Sequence, residues 1–576
     1  MKVRLAKNAG FCMGVRRAME IALSEANKGD GELFTYGPLI HNQQVLDLLR
    51  AKGVDILKDF DAHEGARVII RAHGISPAER KRLWNSRLRI IDATCPRVAK
   101  VQSIIRRYYS KGYTPVIFGD ARHPEVIGLM GYGGENNIVI GSPSDVERLP
   151  ENEQLVVVSQ TTQDVDAYRA AVQAITERFP EAVIFETICH ETYKRQREAR
   201  ELASEVDSMV VVGGSNSGNT RRLYEISKSL GVPTFHVETE SELESSWFTS
   251  AEIVGVTAGA STPNWMIKKV MERVKTLDQK GRYSLRSILG RALRFLTMMT
   301  IPESVGAFSL TYAGLILSRG RAPLIYPLLA LLYVYSMHVV NIFLDKEAGK
   351  YKDPRMALFY TEHQGFLLAT ALATIATGLS LSLSLGVLPF LIFLALTVLG
   401  LAYSIPIIPL RLGYLGRYAK IKDLPGSKTL TEALAWGTIS SLLPIISWSQ
   451  ELWVGSAVSF LFVSSMCYVR AGVFDIRNMQ GDLIVGKETL PIALGERRTL
   501  RLLLFVNITV ACLLMLAAAT GFVSSLGYSL IMCFLVAIAY LEAYKREWMK
   551  DGPSLQITVE SNLLFAGILA LLWKLV

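Results

Sequence analysis

Cysteine is scarce in this chain, and no two cysteines lie close together in the sequence. The 576 residues include only 6 cysteines, and none of them belongs to a CxxC pair. Structural zinc sites usually contain such local pairs, so their absence argues against a zinc site of that kind. The six cysteines do not suggest a disulfide framework either, and we therefore expect a reducing compartment.

Nucleotide-binding and secretory signatures are also missing. Neither a Walker A sequence nor a GxGxxG fingerprint occurs, so a nucleotide is not the expected ligand. The first seven residues, MKVRLAK, lack a long apolar core and predict a strand rather than a signal peptide. The formal net charge of +10 averages two unlike halves. We interpret the excess of Lys and Arg as positive charge in loops beside a membrane, and we expect no nucleic-acid partner.

The composition divides the chain into two parts. Residues 1–280 mix charged and apolar residues as soluble α/β proteins do, whereas residues 296–576 consist largely of long apolar runs. Residues 281–295 would form the linker between them. We predict an α/β N-terminal half and an all-α polytopic membrane domain.

Strand-like runs alternate with helical ones in the first half. Such runs begin near Arg67, Pro115, Leu155, Ser208 and Ile253. The alternation predicts parallel sheets with crossover helices. Polar residues follow the strands, where ligands bind in open α/β sheets.

Three cysteines lie in similar settings at long, roughly equal intervals. They are Cys12 in GFCMGV, Cys95 in DATCP and Cys189 in TIC. An iron–sulfur cluster normally takes four thiolates, so three would leave one iron open for catalysis. We therefore predict three α/β units around one cluster. The other three cysteines lie in apolar helices and are interpreted as packing residues.

Histidines and small polar residues occupy several of the loops that follow strands. A single histidine is often structural, and zinc remains an alternative ligand for a set of histidines and cysteines. Three histidines in Gly/Pro-bounded loops are harder to explain structurally. Together with two turns rich in hydroxyl and amide groups, they suit a diphosphate. The candidate residues are His41, His73, His123, Ser217, Asn219 and Ser261.

These segments together resemble the 4-hydroxy-3-methylbut-2-enyl diphosphate reductases, the IspH or LytB family, over about residues 1–275. The matching stretches are GFCMGV, His41-Asn, AHGISP, DATCP, HPEV, SQTT, TIC, NSGNT and GVTAGAST. The resemblance implies three α/β units around a 4Fe–4S cluster. It also implies reductive removal of an allylic hydroxyl group, which gives isopentenyl and dimethylallyl diphosphates.

The resemblance also implies residue roles. Cys12, Cys95 and Cys189 would hold the cluster, whose fourth iron would bind the substrate hydroxyl. Glu125 would supply protons, and Thr161 would orient the hydroxyl. The diphosphate would contact His41, His73, His123, Ser217, Asn219 and Ser261, and the backbone of Gly218, where some members have serine. The electrons would come from an external ferredoxin or flavodoxin.

Nine apolar segments in the second half are near the ~20 residues needed to cross a lipid bilayer. They cover approximately 296–317, 323–343, 366–383, 387–408, 430–448, 453–469, 502–521, 526–543 and 559–576. With the N-terminus inside, the outer loops carry only Arg319 and Arg321, whereas the inner loops are rich in Lys and Arg, including Arg470. This asymmetry predicts a multi-pass protein of the cytoplasmic (inner) membrane with its first half in the cytoplasm.

Two predicted inner loops are acidic as well as basic. The first contains Asn341 and Asp345, and the second contains Asp475, Asn478 and Asp482. Such oxygen ligands suit Mg²⁺ bound to a diphosphate, although solvated juxtamembrane loops are an alternative. The arrangement resembles the UbiA superfamily of intramembrane prenyltransferases over about residues 290–576. The first motif departs from NDxxDxxxD, because Ile342 and Gly349 replace aspartates; Glu347 or Asp353 would have to compensate.

Three functional hypotheses follow. The first is a fusion of two enzymes, in which the soluble half is a reductase and the membrane half transfers the prenyl group of a prenyl diphosphate to an apolar or aromatic acceptor. The second makes the membrane half an inactive anchor or a prenyl-lipid binding module. The third makes the soluble half a redox sensor, which would have no need of Glu125 or Thr161.

Overall fold

The computed structural model describes residues 1–59, 63–151, 153–277, 295–345, 349–351, 353–403, 426–448, 453–487, 489–546, 548–549 and 553–575. The chain divides into two compact units, Met1–Gly281 and Arg282–Val576. The first unit is α/β and the second is helical, in agreement with the predicted fold class. The linker predicted at residues 281–295 lies almost wholly outside the described residues, so the domain boundaries stay a prediction.

Twelve described strands of the first unit form three four-stranded parallel sheets. The sheet orders are β3-β2-β4-β5, β7-β6-β8-β9 and β1-β12-β10-β11. The strands are β1 (Lys2–Leu5), β2 (Leu33–Tyr36), β3 (Val54–Ile56), β4 (Arg67–Ile70), β5 (Arg89–Asp92), β6 (Thr114–Phe118), β7 (Ile138–Ile140), β8 (Leu155–Ser159), β9 (Val183–Ile184), β10 (Ser208–Val212), β11 (Thr234–Val237) and β12 (Ile253–Ala258). The five strand-like runs that the sequence predicts are all present, as β4, β6, β8, β10 and β12.

The three sheets repeat one topology. In the first two, the strands lie in the order second, first, third, fourth. The third sheet follows the same order if β1 is counted as its fourth strand, with Lys2 opposite Ile253 in a parallel register. The N-terminal strand therefore completes the C-terminal repeat, which ties the two ends of this unit together.

The helices of the first unit follow these strands as crossovers. They are α1 (Met13–Lys28), α2 (Gln43–Ala51), α3 (Pro77–Asn85), α4 (Pro96–Tyr109), α5 (Pro124–Met130), α6 (Val165–Arg178), α7 (His190–Ala203), α8 (Gly218–Ser229) and α9 (Asn264–Thr276). Their boundaries have local causes. Ser76 and Glu79 form a capping box at the start of α3, and Gly29 ends α1 with φ of 67°.

The central strands are buried on both faces, as parallel sheets require. Every residue of β4, β6, β8 and β10 is buried. In each sheet the first and third strands are neighbours, and their crossover helices lead to strands on opposite sides. This arrangement is a topological switch point, beside which the loops leave a crevice for ligands.

The second unit is a helical bundle. Its helices are α10 (Ile301–Arg319), α11 (Ile325–Leu344), α12 (Pro354–Glu362), α13 (Gln364–Ser384), α14 (Val387–Ala402), α15 (Ser427–Gly437), α16 (Leu443–Trp448), α17 (Trp453–Val485), α18 (Leu490–Leu494), α19 (Glu496–Ala519), α20 (Leu526–Lys545) and α21 (Pro553–Leu575). A π-helical turn, Thr438–Leu442, joins α15 to α16.

Seven helical stretches among the described residues are long and apolar enough to cross a membrane. Each of the nine predicted segments overlaps a helix. However, Val387–Ala402 is shorter than the others, and Ile301–Arg319 is not among the seven. The predicted count of nine spans is therefore not confirmed.

The second acidic loop predicted from the sequence is helical instead. Asp475, Asn478 and Asp482 lie in α17, which continues for 33 residues to Val485. At 1.5 Å per residue this helix is about 50 Å long, more than the roughly 30 Å of hydrocarbon it has to cross. The apolar segment was therefore a poor guide to where this helix ends.

Candidate active site

Each of the three predicted cluster cysteines is the N-cap of a helix. Cys12 precedes α1, Cys95 precedes α4 and Cys189 precedes α7. All three come after the fourth strand of a repeat. A helix N-terminus favours negative charge, so each thiol lies where an anionic metal cluster would be stabilised.

The backbone holds the three cysteines in equivalent ways. The N–H groups of Cys12, Cys95 and Cys189 donate to the carbonyls of Ala260, Ala72 and Thr161 over 3.2, 2.9 and 2.9 Å. Each of these carbonyls lies two residues after the third strand of its sheet. The topological repeat therefore places the three cysteines equivalently.

The cysteines also lie near one another. A Cβ atom at Gly14 would lie 2.5 Å from the Cys95 Sγ atom, so the first turn of α1 packs directly against that thiol. Burial raises the pKa of Cys95, and the nearby Cys12 and Cys189 raise it further, while backbone N–H groups of α4 lower it. Three half-buried thiols at helix N-termini are a suitable donor set for an iron–sulfur cluster.

The three predicted histidines form a compact triangle. The ring centroids of His41 and His73 lie 4.7 Å apart. The ring centroid of His123 lies 5.6 Å from that of His41 and 5.5 Å from that of His73. The buried atoms His41 Nε2 and His73 Nδ1 have no hydrogen-bond partner among the described residues. Unpaired buried polar atoms are costly, so these nitrogens indicate a polar ligand.

Burial controls the charge of these rings. It lowers the pKa of His41, the pKa of His73 well below its usual value and the pKa of His123 to about 4. Arg71 lowers all three pKa values as well, through its positive charge. The histidines are therefore neutral at pH 7 until an anion arrives and favours their protonated forms.

The remaining diphosphate candidates lie beside His41. The Ser261 hydroxyl donates to the His41 carbonyl over 3.1 Å and to Ser217 Oγ over 3.4 Å. The buried Asn219 Nδ2 atom has no partner among the described residues. A Cβ at Gly218 would lie 3.9 Å from His123 Nε2, which brings the N-terminus of α8 to the histidines.

Glu125 is fully buried and bonded to Thr161. Its two oxygens accept from the Thr161 N–H over 2.7 Å and from the Thr161 hydroxyl over 3.0 Å. Burial raises the pKa of Glu125 to about 7 despite these two hydrogen bonds. A carboxyl group with such a pKa can hold and release a proton near neutrality, as a general acid must.

His123 is held in one tautomer. Its Nδ1 atom accepts from the backbone N–H of Glu125 over 3.2 Å. Since that backbone group can only donate, the neutral ring carries its proton on Nε2. The Nε2–H group is then a hydrogen-bond donor toward the start of α8.

Two residues near the cysteines were missed from the sequence. Gly14 leaves space for the Cys95 thiol. A glycine two residues after the candidate ligand Cys12 could have indicated this close packing from the sequence. Arg195 is buried beside Gly10, near Cys12 and Cys189. Nothing in the sequence distinguished it from the less buried Arg197 and Arg200 of the same helix.

The predicted acidic motifs of the helical unit meet through a lysine. Lys487, shortly after α17, forms an ion pair with Asp345, at the end of α11. Asp475 is buried and accepts from Lys428 and from the Thr429 hydroxyl, the latter over 2.7 Å. Asn341 lies in the last turn of α11. Carboxylates from both motifs therefore share one region, a donor set that fits Mg²⁺, together with cations that fit a diphosphate.

A buried ionic cluster in the same unit was also missed. Arg470, counted from the sequence as an inner-loop charge, lies inside α17 and is 4% exposed. Its guanidinium contacts Glu560 at 2.8 Å, Glu432 at 3.0 Å and Glu303 at 3.5 Å. These carboxylates stabilise the charge of Arg470 inside the bundle. A count of Lys and Arg along the sequence therefore cannot show whether this residue lies in a loop or inside the bundle.

Comparison with known proteins matches the two parts of the chain to two different families. Residues 3–275 match the family described as LytB protein, and residues 307–566 match the UbiA prenyltransferase family. The 4-hydroxy-3-methylbut-2-enyl diphosphate reductase of Geobacter sulfurreducens is 46% identical over 282 residues, which cover 49% of this chain and 100% of the relative.

Two solved structures are each similar to about half of this chain. A structure of (E)-4-hydroxy-3-methyl-but-2-enyl diphosphate reductase is 40% identical, with a TM-score of 0.39, and covers 48% of this chain and 100% of that chain. The apo structure of a UbiA homolog from Aeropyrum pernix K1 is 14% identical, with a TM-score of 0.39, and covers 48% and 98%.

Proposed function

Since the chain belongs to the LytB family of 4-hydroxy-3-methylbut-2-enyl diphosphate reductases, we propose that its first unit removes the allylic hydroxyl of that diphosphate reductively. The reaction takes up two electrons and two protons, releases water and leaves isopentenyl or dimethylallyl diphosphate. The observation that carries the proposal is the position of Thr161. Its carbonyl accepts from Cys189, and its N–H and hydroxyl donate to Glu125.

Cys12, Cys95 and Cys189 would hold a 4Fe–4S cluster. When bound, that cluster supplies the two electrons singly and a Lewis-acidic iron for the substrate hydroxyl. The electrons come from an external one-electron carrier of the ferredoxin or flavodoxin class. A redox sensor explains this site less well. It would have no use for the buried carboxyl group of Glu125, hydrogen-bonded to Thr161, whose carbonyl accepts from the N–H of Cys189.

The chain's own residues bind and protonate the substrate. The histidine triangle and the loops at Ser217, Asn219 and Ser261 surround the diphosphate with donors. Its negative charge raises the pKa values of the buried histidines, so that they become charged partners. Thr161 orients the hydroxyl, and Glu125 gives it a proton so that it leaves as water.

Glu125→Gln tests the proton role in the full chain, with a reduced viologen as donor and the cluster reconstituted anaerobically. Loss of the acid should lower kcat roughly 10²- to 10⁴-fold without loss of iron. Glu147→Gln, at an exposed position, is the matched control and should have normal activity. If Glu125→Gln turns over normally, Glu125 is not the proton donor.

The second unit transfers a prenyl chain from a diphosphate to an apolar or aromatic acceptor in the membrane. Asn341, Asp345, Asp475, Asn478 and Asp482 hold Mg²⁺ and the diphosphate in this proposal. The ion pair between Asp345 and Lys487 supports it, because it joins the two motif segments. The loss of aspartates at Ile342 and Gly349 instead favours a membrane anchor or a prenyl-lipid binding module.

The two hypotheses for the second unit predict different results for one variant. Membranes containing the full chain should transfer a radiolabelled prenyl group to lipid-soluble acceptors, and Asp475→Ala should abolish this transfer. Transfer that is unchanged in Asp475→Ala would contradict the transferase hypothesis. The excess of Lys and Arg in the predicted inner loops supports our proposal that the first unit lies in the cytoplasm and the second in the cytoplasmic membrane.

A further inference from the structure

Arg195 is a buried cation between two of the cysteine segments. It lies on α7, which begins after Cys189, and is 4% exposed. One of its terminal NH2 groups donates to the carbonyl of Gly10, two residues before Cys12, over 2.7 Å. The side chain thus connects the helix that follows one cysteine to the loop that carries another.

The Nε–H group of Arg195 is buried and has no acceptor among the described residues. The nearby carboxylates are engaged elsewhere. Glu198 accepts from the Asn8 N–H and side-chain amide over 2.8 and 2.9 Å, and Glu191 pairs with Lys194 at 3.8 Å. A buried guanidinium with a spare donor is costly unless a ligand or a negative group compensates it.

As ligands of a cluster, the cysteines would be the other negative groups near Arg195. Cys12 and Cys189 both act to raise the pKa of Arg195, against the stronger lowering effect of burial. Since a guanidinium stays protonated in proteins, Arg195 is a fixed positive charge at this site.

We propose that Arg195 raises the reduction potential of the iron–sulfur cluster by donating a hydrogen bond and a positive charge to it. This inference rests on the proposed function of the first unit. A cluster held by thiolates is anionic, and each electron from the external carrier adds a negative charge. A fixed buried cation therefore stabilises the reduced form more than the oxidised form. Arg195 is a positioning and tuning residue, not a catalytic one.

The test is an EPR-monitored redox titration of the full chain, with iron and sulfide content measured on the same samples. In Arg195→Gln, the Gly10 bond can persist but the charge is lost. We expect a potential lower by about 59 mV or more, which corresponds to a tenfold shift in the reduced fraction for one electron. Arg195→Lys keeps the charge and should remain near the wild-type potential.

Arg200→Gln is the control on the same helix, because Arg200 pairs with Asp166 at 2.6 Å away from the cysteines. Its potential should equal that of the wild type. If Arg195→Gln and wild-type protein share one potential at equal cluster content, the proposal is wrong. If Arg195→Gln fails to hold a cluster, Arg195→Met is titrated in its place: a similarly lowered potential supports the proposal, and the wild-type potential overturns it. A wild-type chain that binds no cluster would overturn the proposed function as well.

Discussion

Thr161 donates both its backbone N–H and its hydroxyl to the two oxygens of the buried Glu125 carboxylate. Thr161 follows β8, and Glu125 lies in α5, which follows β6; because β6 and β8 are paired neighbours, the two residues meet at the switch point of their sheet. The carbonyl of Thr161 also accepts from the N–H of Cys189. One threonine therefore connects the acid to the cysteines through three hydrogen bonds.

The Thr161 hydroxyl tunes the acidity of Glu125, and we expect this to appear in the pH profile. Because the hydroxyl stabilises the carboxylate, Thr161→Val should raise the pKa of Glu125 above about 7. A hydrogen bond to a charged group contributes about 1.5–3 kcal/mol, so the alkaline limb of kcat/KM should move up by roughly one to two pH units. Activity falls above that limb because the acid has lost its proton. Thr161→Ser is the control and should leave the limb in place.

Diphosphate binding should be accompanied by proton uptake at the histidine triangle. The pKa of His123 is about 4 in the folded protein without ligand, and an adjacent diphosphate would raise it. Affinity for inorganic pyrophosphate should therefore increase as the pH falls toward 6.5. Calorimetry in two buffers with different ionisation enthalpies measures the uptake directly.

His41→Asn should weaken pyrophosphate binding roughly 10- to 100-fold and reduce the proton uptake. His63→Asn is the control, since His63 is paired with Glu32 outside the triangle. If the enthalpy of pyrophosphate binding to the wild type is the same in both buffers, no protons are taken up on binding. That result would contradict the predicted link between binding and protonation of the histidines.

The same histidines predict loss of stability in acid. Their folded pKa values lie below the value of about 6.5 that they have in the unfolded chain. The unfolded chain therefore binds more protons as the pH falls from 6.5 toward 4, and the free energy of unfolding of the first unit should fall over this window. Denaturant melts monitored at several pH values check this. Replacing His73 with Asn should flatten the dependence, and an unchanged slope would refute the assignment.

Gly14 is predicted to be essential for the cysteine site because of space, not backbone conformation. A methyl group there would lie 2.5 Å from the Cys95 Sγ atom, closer than any normal contact. Gly14→Ala should displace that thiol and reduce the iron bound per chain after reconstitution. At Gly141 the nearest atom would be 3.8 Å away, so Gly141→Ala is the matched control. Full iron content in Gly14→Ala would show that the site can relax.

The ion pair of Lys428 and Asp475 predicts a stability pattern in the helical unit. Asp475 is fully buried, so Lys428→Met alone leaves a carboxylate without its cation and should destabilise by about 3–5 kcal/mol. Asp475→Ala alone should also lower the melting temperature in detergent. The double variant should recover much of the loss while prenyl transfer remains absent. Additive losses in the double variant would mean that the pair is not coupled.

The sequence supported the main features of the fold because they depend on local patterns. Buried parallel strands such as β8 consist of consecutive apolar residues, and the polar residues of the site follow them directly. Shorter strands such as β3 and β9 were not predicted, because two or three residues give too little periodicity. The length of α17 was underestimated, since its buried polar residues are stabilised by other helices.

By itself the sequence determined which chemical groups are available: three widely separated cysteines, the histidines, Glu125 and two acidic segments beside apolar runs. These are properties of residue type and order, and they are already present in the unfolded chain. Only the tertiary structure decided that β1 completes the third sheet, that Thr161 joins Glu125 to Cys189, and that Arg195 is buried near the cysteines. Such relations depend on contacts between residues far apart in the chain, which form only when the sheets assemble and exclude water.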